Sequence, residues 1–381
     1  MMAYFLLLKQ RVEMISKAKW FLDKTSPIIF GIDDITNSKC QSRFLREQCD
    51  CGYLGLGDGG LYNYFVNYLL NKYPEIRVTY FLVMNSHSTY LDNGKTGSIY
   101  NNDDFLKLLN SILGRSDEIA YHGHNHGYSN ATLMDRKWCR EFEQYSPGEY
   151  FNIIKNDLDL FKKTFGYQIL GGRTPCYSFR EDLVGGLIDL KFRWWSFDFK
   201  PFTNNISLKY GDDKIIEMPS NISGDAFIYG GNAIKSKIKH LLNIVKIEKM
   251  MKSRYVISIA EHFMNARPDG KRQTPNVYDD INSLDFLFGY LRNKDVWYAT
   301  FSECANYYES YNNTYILDMG DGAFEIKYKG DWKMFLTFIS EHRYLENIQT
   351  KEIYEGFMKN NRWFFNDLVE GIYKERKDVF R

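Results

Sequence analysis

Between residues 28 and 300, short apolar runs alternate with longer amphipathic stretches, and this alternation restricts the fold more than any other feature of the chain. Ile28 to Ile32, Ile76 to Met84, Glu118 to Tyr121, Gln168 to Gly171, Phe192 to Phe197, Ile215 to Met218, Tyr255 to Ala260 and Val296 to Thr300 are short, bounded by turn residues and expected as strands. Helices are expected between them, at Leu61 to Leu70, Phe105 to Leu113, Glu181 to Leu190, Ala233 to Met250 and near Asp279 to Arg292. The clearest helix start is Ser146-Pro147-Gly148-Glu149, with Ser146 as N-cap, Pro147 in the first helical position and Glu149 completing a capping box; that helix runs to Phe165 and stops at Gly166. Strands and helices in this order predict parallel βα units covered on both faces, hence an α/β barrel or a doubly wound sheet.

After about Tyr311 the pattern changes. Tyr315 to Leu317, Phe324 to Tyr328 and Met334 to Ile339, separated by Gly320-Asp321-Gly322 and Gly330-Asp331, read as a small antiparallel meander. A long polar helix carrying Ile353, Phe357, Trp363, Phe364 and Val369 is expected from Lys351 onward. The expected division is an N-terminal segment 1–26, a main α/β domain 27–310 and an appended module 311–381.

Charge narrows the partners. With 49 Lys plus Arg against 48 Asp plus Glu, the net charge is +1, and no long run of one sign supplies the footprint of a nucleic-acid binder. The aromatic fraction of 17% accompanies abundant Lys, Asn and Ile, a codon-usage signature rather than one of sugar stacking. Ala3 to Leu8 is too short for a signal-peptide core or a membrane span, so the chain is expected to carry no integral membrane segment and to be cytoplasmic. The six cysteines are scattered, and the Cys49-x-Cys51 pair has no second pair to complete a structural zinc site.

In a parallel α/β architecture the polar residues that follow the strands converge on one rim, where active sites lie. Here they are Asp33 and Asp34, then His122, His124 and His126, then Arg173, Asp198 and His262. His122 and His126 are four apart and would share a face if a helical turn began there. Two imidazole nitrogens and a carboxylate oxygen form a three-ligand set that suits zinc and leaves a position for water. For Asp33 and Asp34, neighbours in extended backbone point opposite ways, so one carboxylate can bind the metal while the other faces the water as base. Gly55-Leu56-Gly57-Asp58-Gly59-Gly60 matches G-x-G-x-x-G, but no buried strand precedes it, so a loop near the rim is expected rather than a dinucleotide site. Trp194 and Trp195 are candidates for lining a sugar site or for the core.

These residues and their order resemble the polysaccharide deacetylase family, carbohydrate esterase family four, over roughly residues 27 to 305. The resemblance implies a distorted (β/α) barrel of about seven parallel strands and a divalent metal, with zinc the expected ion. Asp33 would be the base and Asp34 a metal ligand with His122 and His126, leaving His124 as an extra. Arg173-Thr174-Pro175-Cys176-Tyr177 matches the Arg-x-Pro motif, so Arg173 would hold Asp33 and the Tyr177 backbone N–H would help form the oxyanion hole. Asp198-Phe199 stands where the family has Asp-Trp, and Ala260-Glu261-His262 where it has Leu-x-His. His262 would then be the general acid, with Asp198 fixing its ring, while Tyr177, Trp195 and Phe199 would contact substrate. Departures include Phe199 for Trp, Ala260 for Leu, and the residues flanking the Asp pair.

The implied activity is removal of an N-acetyl or other N-acyl group from an amino sugar or glycan intermediate in surface-glycan biosynthesis. The rival readings are a non-catalytic glycan-binding or scaffold relative, which would be expected to have lost some of these residues, and a hydrolase of a formamide or cyclic amide on the same fold.

Overall fold

The expected strands form in the structure, a computed structural model that describes residues 15–37, 55–85, 98–127, 140–178, 180–203, 206–209, 215–228, 233–264 and 271–376. Cys40, Cys49, Cys51 and Cys139 lie outside the described residues. The described chain divides into two units, one within Ser26–Ala305 and a second made of residues 15–25 with 306–376.

In the first unit one open, curled sheet of ten strands runs in the order Ser207–Lys209, Ile215–Glu217, Trp194–Ser196, Gly171–Arg173, Glu118–Tyr121, Val78–Leu82, Ser26–Ile35, Ile257–His262, Ile222–Ser223. The tenth, Val296–Ala299, pairs with the first half of Ser26–Ile35. Every pairing is parallel except that of Ser207–Lys209 with Ile215–Glu217. Ser26–Ile35 sits centrally and is buried along all ten residues, as its unbroken apolar run requires of a strand covered on both faces. Helices Asp103–Gly114, Pro147–Phe165, Ala233–Lys252 and Val277–Leu291 connect the strands. The capping box at Ser146 and Glu149 forms as expected, and Gly166 closes that helix with φ 64°.

One strand is displaced: Gly171–Arg173 replaces the expected Gln168 to Gly171. Glycine is a poor strand former, yet a Cβ at Gly171 would lie 2.0 Å from the Trp194 ring and one at Gly172 2.5 Å from the Trp195 ring. Tertiary packing of the two indoles therefore overrides local propensity.

The second unit is antiparallel throughout. Its four-stranded sheet runs Ile15–Lys17, Phe338–Ser340, Arg362–Phe365, Phe357–Lys359, and its five-stranded sheet Thr314–Gly320, Ala323–Tyr328, Gly371–Arg376, Tyr344–Asn347, Ile353–Glu355. Residues 15–17 pair with Phe338–Ser340, so this part of the N-terminal segment belongs with the C-terminal module rather than standing apart. The helix expected from Lys351 does not form. Asn360 and Asn361 take left-handed backbone, with φ 51° and 60°, and turn Phe357–Lys359 back onto Arg362–Phe365 as a two-residue hairpin.

Candidate active site

The site begins with an irregularity in the central strand. Pairing of Ser26–Ile35 with Val78–Leu82 steps from Ile32–Tyr80 to Ile35–Leu82, leaving one extra residue on the first strand, a β-bulge at Asp33 and Asp34. Asp34 adopts φ 62° there. The bulge cancels the alternation that would send the two side chains to opposite faces, and both carboxylates are buried in one site. Asp33 Oδ1 accepts from Arg173 Nη1 at 2.6 Å. Asp34 Oδ1 lies 3.4 Å from His122 Nε2 and 3.2 Å from His126 Nε2.

No helical turn brings the two histidines together. Residues 122–127 form a loop that starts at Gly123, with φ 95°, and places His126 at φ 64°. The loop folds over the buried Glu141 carboxylate, which accepts from the backbone N–H groups of His124 at 2.8 Å and Asn125 at 3.1 Å. His124 Nδ1 lies 3.0 Å from both oxygens of Asp157, and the Tyr121 hydroxyl donates to Asp157 at 2.9 Å. Burial pushes the Glu141 carboxyl up to about 7 despite those two N–H donors. Burial disfavours the His124 cation, but Asp157 and Glu141 outweigh it and raise that ring. Thus His124 anchors the loop from outside the Asp34–His122–His126 cluster.

Asp34, His122 and His126 are all buried, and one ligand atom from each lies within 4.8 Å of the others. The Arg173 carbonyl lies 2.9 Å from His122 Nδ1, and a carbonyl can only accept, so Nδ1 carries a hydrogen and, in the neutral ring, Nε2 turns its lone pair toward Asp34. Two lone-pair bearers facing each other 3.4 Å apart repel unless positive charge lies between them. That donor set fits a divalent ion.

Arg173 is fully buried, its guanidinium 4.0 Å from the Phe81 ring centroid and 5.4 Å from that of Phe301. Gly31 makes room for it: a Cβ there would stand 2.8 Å from Phe81 and 3.2 Å from Arg173 Nη2. Gly31→Ala should therefore lower stability by about 1–3 kcal/mol through overpacking and lower turnover by displacing Arg173. Thermal unfolding and steady-state rates check this, and a variant equal to the parent in both would remove Gly31 from the account.

His262 is the register partner of Asp33 across the central pair, and its Nε2 lies 3.6 Å from Asp33 Oδ2. Three expectations are corrected. Among the described residues the buried Nδ1 of His262 has no hydrogen-bond partner, so Asp198 does not fix that ring; Asp198 pairs with Lys200 at 2.5 Å. The Tyr177 N–H donates to the Thr174 carbonyl at 3.0 Å, because Cys176 and Tyr177 at φ 48° and 55° close a tight turn that claims it before an oxyanion could. Trp195 does not line the site: its ring is fully buried and its indole donates to Thr174 Oγ1 at 3.0 Å. The Tyr177 ring, partly exposed, remains at the rim 6.2 Å from that of Phe199, and its hydroxyl, 2.7 Å from Ser220 Oγ, is pushed up to about 12 by burial. Gly55 to Gly60 form a turn leading into the helix at Leu61.

Glu141 and Asp157 escaped the sequence reading. Asp157 had a signal, since it shares the buried face of its helix with Tyr150, Ile154 and Phe161, an acid where the pattern asks for an apolar residue. Glu141 had none.

No family model matches the sequence, and no curated protein matches it. Among solved structures the chain is similar to PuuE allantoinase, 13% identical, over 76% of this chain and 92% of that one with a TM-score of 0.47. It is also similar to the peptidoglycan deacetylase PdaC from Bacillus subtilis, 12% identical over 74% and 91% with a TM-score of 0.36, and to a family 4 acetyl xylan esterase from Clostridium thermocellum, 13% identical over 73% and 89% with a TM-score of 0.35. Carbohydrate deacetylases are among the structures that this chain resembles.

Proposed function

We propose that the protein is a metal-dependent hydrolase that removes an N-acetyl or other N-acyl group from an amino sugar or glycan intermediate in surface-glycan synthesis. The observation that carries this reading is the buried Asp34–His122–His126 donor set beside a second carboxylate, Asp33, held between Arg173 and His262. Asp34, His122 and His126 would hold a divalent ion, zinc by the character of these donors, which would supply Lewis-acid chemistry and lower the pKa of water there. Asp33 takes the water proton, and the hydrogen bond from Arg173 aims that carboxylate. His262 stands on the adjoining strand end and protonates the departing amine. Tyr177 and Phe199 offer aromatic faces to a sugar ring at the rim.

Incubation of the zinc-reconstituted protein with a panel of acetamido-sugar intermediates should release acetate. Formate released from formamido analogues, with no acetate from any acetamide, would move the assignment to another C–N bond; neither product would leave it without support. His262→Ala should retain metal and lose on the order of 10² to 10⁴ in amide hydrolysis but much less on an activated acetate ester, whose leaving group needs no proton. Equal losses on both substrates would place His262 in another role.

A further inference from the structure

The helix Ala233–Lys252 is inside out over its first turns. Its buried side carries Ser236, His240 and Asn243. Asn243 Nδ2 donates to the Ala226 carbonyl at 2.9 Å, and His240 Nε2 lies 3.3 Å from the Ile228 carbonyl. The opposite side carries Ile238, Leu241, Leu242 and Val245, each between 54% and 62% exposed, and continues to the exposed Ile234. Normal order returns only near the end, where Ile247, Met250 and Met251 are buried.

Residues 238, 241, 242 and 245 share one face, so their side chains form a continuous apolar stripe rather than isolated surface positions. The charges beside the stripe are of one sign. Lys235, Lys237, Lys239, Lys246, Lys249 and Lys252 lie in this one helix, and its single acid, Glu248, is already paired with Lys294 at 2.6 Å. In a chain with a net charge of +1 this is a local concentration. A second copy docking through the same stripe would bring lysines against lysines. An anionic bilayer complements both features, taking the apolar residues at the headgroup boundary and the ammonium groups at its phosphates.

We infer that this stripe docks the first unit on an anionic membrane surface. The helix connects two parallel strands, Ile222–Ser223 and Ile257–His262, and so runs against them, with its first turns at the end of the sheet where His262 and Asp33 lie. Docking therefore lays this helix, and the strands antiparallel to it, along the bilayer, with the rim opening beside the surface, where a lipid-linked glycan could reach it. Binding to the surface is independent of the hydrolase reading, because it is measured without turnover.

The test is flotation of the intact protein with vesicles of phosphatidylcholine alone or mixed with phosphatidylglycerol. The protein should float with the mixed vesicles, not with the neutral ones, and salt should weaken the association. Leu241→Gln/Val245→Gln and Lys237→Glu/Lys239→Glu should each weaken binding by about tenfold or more while unfolding at the parent temperature. No flotation with the mixed vesicles, or binding that survives both double substitutions, overturns the inference. So does sedimentation showing a dimer that Leu241→Gln/Val245→Gln converts to monomer, since a second copy would then cover the stripe.

Discussion

His122→Ala/His126→Ala should abolish stable divalent-metal binding and, with it, essentially all hydrolysis. Removing an outer partner of a metal ligand ordinarily costs about 10–100-fold in metal affinity, so deleting two ligating nitrogens costs far more. Asp34 alone does not hold an ion against bulk water. Metal content after dialysis against free zinc, measured by elemental analysis, is the check, and an undiminished stoichiometry in the double variant would eliminate the site. Metal bound only to the folded state also stabilises it, so chelation should lower the melting temperature of the parent and leave that of the variant unmoved.

Asp33→Asn should separate binding from turnover. Asn keeps the shape and can still accept a hydrogen bond from Arg173, but it cannot take a proton, so metal content is retained while turnover falls by on the order of 10² to 10⁴. A structural effect accompanies it. Arg173 is fully buried with Asp33 as its ion-pair partner, and removing one charge from a buried pair costs about 3–5 kcal/mol when the other is left uncompensated. The variant should therefore melt earlier as well as react more slowly. Loss of metal together with activity would make Asp33 a ligand and reverse the division between the two carboxylates.

Much of the α/β unit was legible because buried parallel strands must be apolar on both faces, which leaves runs such as Ile28 to Ile32 that no other element explains. The converging residues were legible for the same reason: each follows such a run. What the runs do not encode is a bulge. Nothing in Asp33-Asp34 announces the extra residue that turns both carboxylates inward, since it arises from register against Tyr80 and Leu82. Nor does spacing alone show how His122 and His126 meet. They converge through a loop wrapped on Glu141, remote in sequence, rather than through a helical turn. The turn that engages the Tyr177 N–H depends on the backbone angles of Cys176 and Tyr177, which no residue type there advertises. In the second unit the apolar residues after Lys351 are spaced loosely enough to suit a helix, and the Asn360-Asn361 turn decides for strands.

Arg173 serves two masters at once. Its side chain donates to Asp33, its carbonyl faces His122 Nδ1, and the two glycines before it are wedged under indole rings. One residue is therefore the common hinge pin of both halves of the machinery. A substitution that shifts its strand, even from the indole side, moves Asp33 and His122 together, so the two cannot be tuned separately from that direction. Laboratory evolution toward a new substrate should accordingly leave residues 171–173 untouched and accumulate its changes at the rim, around Tyr177 and Phe199, where shape can vary without disturbing the pin.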